Sequence, residues 1–458
     1  MYVTRLIDTY LTHWAKQSNR KPLLLRGARQ VGKSSAIRHL GEQFENYVEI
    51  NFEKQPKYQK VFKLDLDVHR ICSQLEALSQ QPIVAGKTLL FLDEIQECPQ
   101  AIMSLRFFKE DYPDLHVAAA GSLLEFALAE LPTFGVGRIH SMFMYPMTFD
   151  EFLMATDNQR LMLAKQKANS TNPLAEPLHD RLVELFRTYL LVGGMPEVVC
   201  CWAQTHEYLR CQQLQDEIVL SYEDDFAKYK KNITPDLLRQ VLHGVAVQIT
   251  KKFVCAKVMN DIKADKIREA VRLLTMAGLT IPVTRTSANG LPLGGEADFN
   301  YQKMLILDSG LLLRLLNFSL DNATAMSQSI LTDSATDLVN KGPVSEMVAG
   351  LELLRYQDPT LKRELFYWVG ETKNSMAEVD YVQPYNAQIL PIEIKAEAQG
   401  GMKSLWLMMR KKNLSSAIRC SLENFGHLDY VDTYENNVVR QVSILPLYAI
   451  ANIFEVKA

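Results

Sequence analysis

The chain has few cysteines, and none are spaced in a way that would organise a metal site or a disulfide framework. There are seven in 458 residues, an odd number, and no two form a CxxC pair. Structural zinc sites and disulfide-rich secreted folds depend on such pairs. The cysteine content therefore predicts reduced thiols and a cytoplasmic protein.

Long apolar runs and an excess of one charge are also missing. No stretch of about 18 apolar residues occurs, and the N-terminus has no apolar signal core, so no membrane span or signal peptide is predicted. The net charge of −3 and the pI of about 6.3 give no global electrostatic argument for nucleic acid binding. Binding to DNA would have to depend on a local patch. The length predicts about three domains.

Apolar runs alternate with amphipathic segments over the first 150 residues. Pro22–Arg26, Lys87–Leu92 and Leu115–Ala120 have the composition of buried strands, whereas Ser34–Phe44 and Ala101–Lys109 have helical periodicity. Strands and helices that alternate in this way predict an α/β fold, with a mostly parallel sheet covered on both faces.

The pattern changes three times along the rest of the chain. Residues 231–320 contain three short helical patterns followed by a hairpin pattern, which together resemble a winged helix, and later segments mix helix and strand. The predicted division is an ATPase domain at 1–150, a helical lid or connector at 151–230, a winged-helix-like segment at 231–320 and an α+β domain at 321–458.

The segment Gly27–Ser34 reads GARQVGKS, a full GxxxxGK[ST] phosphate-binding loop between a predicted strand and a predicted helix. The two glycines let backbone N–H groups turn toward phosphate, and the helix N-terminus adds a positive dipole end. Lys33 is predicted to reach the β- and γ-phosphates and Ser34 to ligate Mg²⁺. The predicted cofactors are ATP and Mg²⁺, bound by Gly27, Ala28, Arg29, Gln30, Val31, Gly32, Lys33, Ser34 and Ser35.

A second acidic motif completes the predicted site. The apolar run Leu89–Leu92 ends in Asp93 and Glu94, at the strand edge where ligands bind in parallel sheets. Asp93 is predicted to hold Mg²⁺ through water, and Glu94 to polarise the attacking water. A small-molecule kinase is the weaker alternative, since a kinase would need no glutamate here.

Two further residues are candidates for hydrolysis. Ser122 follows the strand that ends at Ala120 and is predicted to sense the γ-phosphate; the alternative is a small residue that caps the next helix. Arg138, in the segment Gly135–Arg138, is a candidate arginine finger for a neighbouring copy of the chain; the alternative is a surface charge.

The strings GARQVGKSS, LLFLDEIQECP, AAAGSLLE, GVGRIHSMFMYPMTFDEF and LVGGMPEVV resemble the AAA-type ATPases of the archaeal-ATPase-like group over roughly residues 1–200. Members of that group often carry a C-terminal domain of unknown function, numbered 4143, which resembles a winged helix followed by a restriction-endonuclease-like fold. Met304–Leu316 and Pro391–Lys395 follow the same plan. The resemblance implies ATP binding, with a cellular role that it does not define.

A second constellation lies near the C-terminus. Glu393 and Lys395 share one face of a predicted strand, and a turn centred on Asn386–Ala387 would bring Asp380 opposite Glu393. Glu346, on the preceding helix, could complete a metal-binding set. The pattern resembles the PD-(D/E)xK nucleases; the alternative is a cross-strand ion pair on a scaffold.

Basic residues around the predicted helix Asp265–Met276 are candidates for a DNA contact, with interleaved acids as the argument against it. They are Lys263, Lys266, Arg268 and Arg272. The functions that remain open are an ATPase switch acting on nucleic acid or protein, an ATP-gated nuclease, and a module that holds ATP structurally. DNA, a protein partner and a second copy of the chain are the partners considered, and no membrane is expected.

Overall fold

The computed structural model describes residues 2–131, 137–229, 232–318, 341–370, 377–396, 401–432 and 437–455. The chain divides into two compact units. The first comprises residues 1–147 with the short segments 276–279 and 358–362, and the second comprises the remainder. Each unit has its own sheet.

The first unit contains a five-stranded sheet in which every pairing is parallel. Its elements are α1 (Ile7–Lys16), β1 (Leu23–Arg26), α2 (Lys33–Gly41), β2 (Asn46–Asn51), α3 (Val68–Ser79), β3 (Thr88–Asp93), α4 (Pro99–Asp111), β4 (His116–Ala120), α5 (Leu124–Glu130) and β5 (His140–Phe143). The strand order is β2-β3-β4-β1-β5. This confirms the predicted α/β fold.

Complete burial explains why these strands were visible as apolar runs. All six residues of β3 and all five of β4 are buried, as expected for central strands covered on both faces. The core above one face packs Leu90 and Leu92 of β3 against Ile71 of α3 and Leu105 of α4. Since the strands are parallel, their carboxyl ends meet at one edge of the sheet.

The second unit begins with helices and ends with a mixed sheet. Its elements are α6 (Phe149–Ala155), α7 (Gln159–Lys167), α8 (Glu176–Val192), α9 (Pro196–Thr205), α10 (Tyr208–Asp225), α11 (Pro235–Val247), α12 (Ala264–Met276), β6 (Thr280–Thr286), β7 (Ala297–Ile306), α13 (Ser309–Leu315), α14 (Lys341–Arg355), β8 (Leu365–Val369), β9 (Glu378–Tyr385), β10 (Gln388–Ile394), α15 (Lys403–Lys411), β11 (Ser416–Ser421), β12 (Gly426–Asp432), β13 (Val438–Pro446) and α16 (Asn452–Glu455).

The β6–β7 hairpin belongs to this larger sheet. The strand order is β12-β13-β11-β10-β9-β8-β6-β7, and β6 pairs in parallel with β8 from Val283 to Thr286. Two α-helices precede the hairpin, and the third helical pattern is a single 3-10 turn at Cys255–Lys257. The winged-helix interpretation and the four-part domain division therefore stay predictions, while the hairpin itself is an edge of the C-terminal sheet.

Candidate nucleotide site and C-terminal carboxylate cluster

The predicted phosphate-binding loop connects β1 directly to α2. Gly27 has φ 144° and Gly32 has φ 98°, both in the region that favours glycine. A Cβ on Gly27 would lie 2.1 Å from the carbonyl oxygen of Met144, so only glycine fits at that position. Gly32 is the residue before the first turn of α2. The loop therefore has the tight geometry that turns backbone N–H groups inward.

Lys33 is buried at the first position of α2. Its ammonium donates hydrogen bonds to the carbonyl oxygens of Gly27, at 2.8 Å, and of Ala28, at 2.6 Å. Burial lowers the pKa of Lys33 to about 8, although Glu94 and Asp93 act in the opposite direction. The lysine thus lies across the loop with its positive charge toward the two acids.

Asp93 ends β3 and is almost fully buried, with 3% of its surface exposed. Its Oδ1 accepts a hydrogen bond from the Ser34 hydroxyl at 2.8 Å, and its Oδ2 accepts one from the Asn51 amide at 3.0 Å. Burial raises the pKa of Asp93 above its ordinary value. The adjacent hydroxyl and carboxylate oxygens are the hard ligands that Mg²⁺ prefers, so Ser34 and Asp93 fit a magnesium site.

Glu94 adopts a left-handed backbone conformation, with φ 49° and ψ 47°. Such a conformation is uncommon for residues other than glycine and often marks a functional position. One carboxylate oxygen, Oε2, accepts three hydrogen bonds: from the Gln96 amide at 2.8 Å, the Ser122 hydroxyl at 3.1 Å and the Ser122 backbone N–H at 3.2 Å. Ser122 and Glu94, which were predicted separately, are thus in direct contact.

Arg138 lies within the first unit, and 55% of its side chain is exposed. Its Nε donates a hydrogen bond to Glu110 at 3.1 Å. Gly135 and Val136, the first two residues of the predicted motif, lie outside the described residues. The role of Arg138 as an arginine finger stays a prediction.

Asn51 and Gln96 were not predicted, although each contacts one of the two acids. Asn51 pairs with Asp93 across the parallel strands β2 and β3. Because the ends of neighbouring parallel strands meet at one edge, a polar residue that ends β2 was the available signal. Gln96 had no comparable signal, since its contact depends on the unusual backbone of Glu94.

The hairpin β9–β10 brings the C-terminal residues together in the predicted register. Asn386 and Ala387 form its turn with φ 47° and 59°, and the pairing runs from 385 with 388 to 381 with 392. Continuing this register by one residue sets Asp380 opposite Glu393, and Asp380 Oδ2 accepts a hydrogen bond from the backbone N–H of Ile394 at 2.7 Å.

Glu346 joins this cluster together with two residues that were not predicted, Lys303 and Glu378. The Lys303 ammonium lies 2.8 Å from Glu346 Oε1 and 2.5 Å from Glu378 Oε1. Carboxylate oxygens of Glu346, Glu378 and Asp380 lie within 4.8 Å of one another. On the neighbouring strand, Lys395 pairs with Glu393 at 2.5 Å. We call these six residues the carboxylate cluster.

Burial has the largest effect on the pKa values of the acids in the carboxylate cluster, and crowding of like charges adds to it. Burial raises the pKa of Glu346 to about 8 and that of Glu393 to about 7, and in both cases the charge of Asp380 adds to the effect. Burial alone would lower the pKa of Lys303, but Glu346 and Glu378 raise it above its ordinary value. Lys303 therefore stays charged.

The candidate DNA-contacting helix α12 has its basic residues largely paired. Arg268 bonds Asp265 at 2.6 Å, and Arg272 bonds Glu269 at 2.7 Å. These pairs within one helix are exposed and reduce the local positive charge. The ion pairs agree with the argument from the sequence that interleaved acids weaken the case for a DNA contact.

Two of the sequence strings that carried the family resemblance meet inside the second unit. The backbone N–H of Gly194 donates to Asp308 Oδ2 at 2.6 Å, and a Cβ on Gly193 would lie 2.2 Å from Asp308 Oδ1. Asp308 also caps α13 by accepting from the N–H of Leu311. The glycine pair is therefore explained by close packing on a buried carboxylate.

The comparisons with known proteins agree with the site in the first unit. Residues 19–153 match the family model described as an AAA domain. The N-terminal part of the chain therefore matches an AAA domain. Residues 341–445 match the domain of unknown function DUF4143, and residues 183–322 match the domain of unknown function DUF8612. An AAA domain supports ATP binding by an ATPase, and the resemblance to both the AAA and the DUF4143 families is confirmed.

Solved structures give more distant similarity. The Walker-type ATPase PABY2304 of Pyrococcus abyssi matches 69% of this chain and 96% of its own at 15% identity, with a TM-score of 0.44. PCH-2 of C. elegans matches 45% of this chain and 64% of its own at 11% identity, with a TM-score of 0.28. No curated protein matches the chain. Within the described residues, no helix combines the length and apolar character needed to cross a bilayer.

Proposed function

We propose that this protein is a Mg²⁺-dependent ATPase whose nucleotide cycle acts on the C-terminal half of the chain. The observation that carries the proposal is the meeting of three oxygen-bearing residues beside the phosphate-binding loop. Ser34 bonds Asp93 at 2.8 Å, and Glu94 follows directly in the chain. These groups correspond to a metal ligand on the loop, a metal ligand on the strand and a water-polarising carboxylate.

Each residue has a distinct role in the proposed reaction. Backbone N–H groups of the loop and the ammonium of Lys33 bind the phosphate chain, and Ser34 and Asp93 hold Mg²⁺. The bound ion neutralises negative charge on the transferring phosphoryl group. Glu94 orients the attacking water, and Ser122, bonded to Glu94, senses the γ-phosphate.

We also propose that a second copy of the chain contributes Arg138. More than half of its side chain is exposed, and its Nε forms an ion pair with Glu110 at 3.1 Å. Surface pairs of this kind cost little to break. An arginine finger supplied by a neighbour can raise hydrolysis by about 10³–10⁵-fold, so turnover per chain should rise with protein concentration and fall in Arg138→Ala.

The central experiment replaces Glu94 with glutamine and measures ATP binding and turnover separately. Binding should persist, because Lys33, Ser34 and Asp93 are unchanged, and turnover should fall. Glu97→Gln is the matched control, since it removes the same charge from an exposed neighbour three residues later. Unchanged turnover in Glu94→Gln would remove Glu94 from its proposed role. ATP binding without turnover by the wild-type protein would instead favour ATP as a structural cofactor.

An ATP-gated nuclease is the second candidate. It is favoured by the opposition of Asp380 and Glu393 across one hairpin, with Lys395 paired to Glu393 at 2.5 Å. Two carboxylates and a lysine on adjacent strands can hold a metal and orient a water for attack on a phosphodiester. Cleavage of DNA with Mg²⁺ or Mn²⁺, with and without ATP, should disappear in Asp380→Ala and remain in Asp429→Ala, an exposed aspartate of the same sheet. Cleavage that persists in Asp380→Ala would reject this site.

The partner on which the ATPase acts is proposed to be DNA or a protein. A DNA contact through α12 would depend on Lys263, Lys266, Arg268 and Arg272. A mobility assay with Lys266 and Arg268 neutralised tests it, and unaltered DNA binding would reject α12 as the contact.

A further inference from the structure

Lys303 occupies the middle of the carboxylate cluster. Its ammonium contacts Glu346 at 2.8 Å and Glu378 at 2.5 Å, and only 1% of its side chain is exposed. These two carboxylates and that of Asp380 lie within 4.8 Å of one another, close enough to surround a single ion. A lysine ammonium thus contacts two of the three groups that could otherwise bind a divalent cation.

The position of Lys303 is supported from several sides. Lys303 lies on β7, where it pairs with Val283 of β6 and forms an isolated bridge with Lys252. Its ammonium also lies 5.0 Å from the ring centroid of Tyr367, within the range of a cation–π interaction. The strand pairings fix the backbone of Lys303. The ring of Tyr367 and the carboxylates of Glu346 and Glu378 hold its ammonium group.

The carboxylates themselves remain reachable from solvent. Glu346, Glu378 and Asp380 are each only half-buried, so an ion could approach them. Glu393, by contrast, is buried, and its Oε2 has no hydrogen-bond partner among the described residues. The four carboxylates outnumber the two ammonium groups of Lys303 and Lys395.

We propose that Lys303 is the resident cation of the carboxylate cluster and that it excludes divalent ions while its ammonium lies between Glu346 and Glu378. An ion bound to the same oxygens would lie within roughly 4 Å of the ammonium, where like charges repel strongly in a partly buried site. An ATP-gated nuclease at this site would therefore have to move Lys303 before metal could bind. The inference does not depend on ATP turnover, so this inference and the proposed ATPase function can fail separately.

The test is a titration of the full-length protein with Mn²⁺. Binding is measured as the loss of the free-ion signal in electron paramagnetic resonance. Nucleotide is omitted so that the AAA site does not contribute a bound metal. The variants are Lys303→Met, Lys303→Gln, Asp380→Asn, and Lys303→Met combined with Asp380→Asn. Lys252→Met is the matched control, since Lys252 is the cross-strand neighbour of Lys303 and is exposed.

Wild-type protein and Lys252→Met should bind Mn²⁺ weakly. Lys303→Met should bind one ion about tenfold or more tightly, and adding Asp380→Asn should abolish the gain. Lys303→Gln is one atom shorter than lysine but carries an N–H donor for Glu346, so it tests the same gain if the methionine variant does not fold. Tight binding of one Mn²⁺ by the wild-type protein that is lost in Asp380→Asn would overturn the proposal. A folded Lys303 variant with no gain would overturn it as well.

Discussion

Replacing Gln96 with alanine is expected to slow ATP turnover while leaving ATP affinity nearly unchanged. Gln96 donates one of three hydrogen bonds to Glu94 Oε2, at 2.8 Å, and the other two come from Ser122. Glu94 is held in a strained left-handed conformation, so its carboxylate depends on these donors for its direction. Since Lys33 and Ser34 are not altered, the phosphate-binding residues should still bind the nucleotide.

The size of the effect follows from the bond that is lost. A hydrogen bond to a charged group contributes about 1.5–3 kcal/mol. Two donors to the same oxygen remain. We therefore expect the activation free energy of hydrolysis to rise by about 1–2 kcal/mol, which corresponds to a fall in kcat of about 5–30-fold. KM for ATP should change by less than about twofold, because the lost bond acts on the water-activating group.

Steady-state hydrolysis at varied ATP concentration measures this separation. Gln100→Ala, four residues further along, is the matched control. Gly121→Ala offers an independent route to the same result, since a Cβ at Gly121 would lie 2.0 Å from Gln96 Oε1 and displace the amide. If kcat in Gln96→Ala equals that of the wild type, or if the loss is entirely in KM, then Gln96 does not position Glu94.

Two further predictions concern the phosphate-binding loop. Burial lowers the pKa of Lys33 to about 8 in the nucleotide-free protein, so the charged form that binds phosphate is lost as pH rises through 8. ATP affinity should fall about tenfold between pH 7 and pH 9, and a flat profile by calorimetry would contradict this. Gly278→Ala should weaken ATP binding several-fold, because its Cβ would lie 3.1 Å from the Cβ of Ala28. Gly86→Ala is the control, because Gly86 has a similar positive φ but a Cβ there would have no described atom within 4 Å. If the two variants bind ATP equally well, contact with the phosphate-binding loop does not explain the effect of Gly278→Ala.

Much of the first unit could be predicted because its strands are buried on both faces. The observed β1, β3 and β4 differ from the predicted strands by one residue at one or both ends, as is usual for element boundaries. The strand β5 was missed, since four residues that are mostly half-buried give neither an apolar run nor an alternating pattern. Local pattern was sufficient where burial was complete.

The C-terminal cluster was predictable only in part. The turn at Asn386–Ala387 determines the register of its hairpin, and the pairing of Asp380 with Glu393 follows from that turn alone. Lys303 and Glu378 were missed because their contact depends on how β7 and β9 are arranged in a sheet built from distant segments. Such long-range strand order leaves no periodic signal in the chain.

The same limit applies to the hairpin β6–β7. Its two strands were recognisable locally, but its membership of the large sheet depends on the parallel pairing with β8, which lies more than seventy residues further along. At the nucleotide site, the motif identified Lys33, Ser34 and Asp93, whereas the amides of Asn51 and Gln96 needed the structure. Motifs thus indicated which chemistry to expect, and the supporting contacts came from the fold.

Equilibrium binding of ATP, with and without Mg²⁺, tests the central claim most directly. Wild-type protein should bind about one nucleotide per chain, more tightly with Mg²⁺ than without it, and Lys33→Ala should lose most of that affinity. The magnesium dependence should disappear in Asp93→Asn, while binding without metal remains. Wild-type protein that takes up no ATP with Mg²⁺ present, or a Lys33→Ala variant that binds as well as the wild type, would contradict the account.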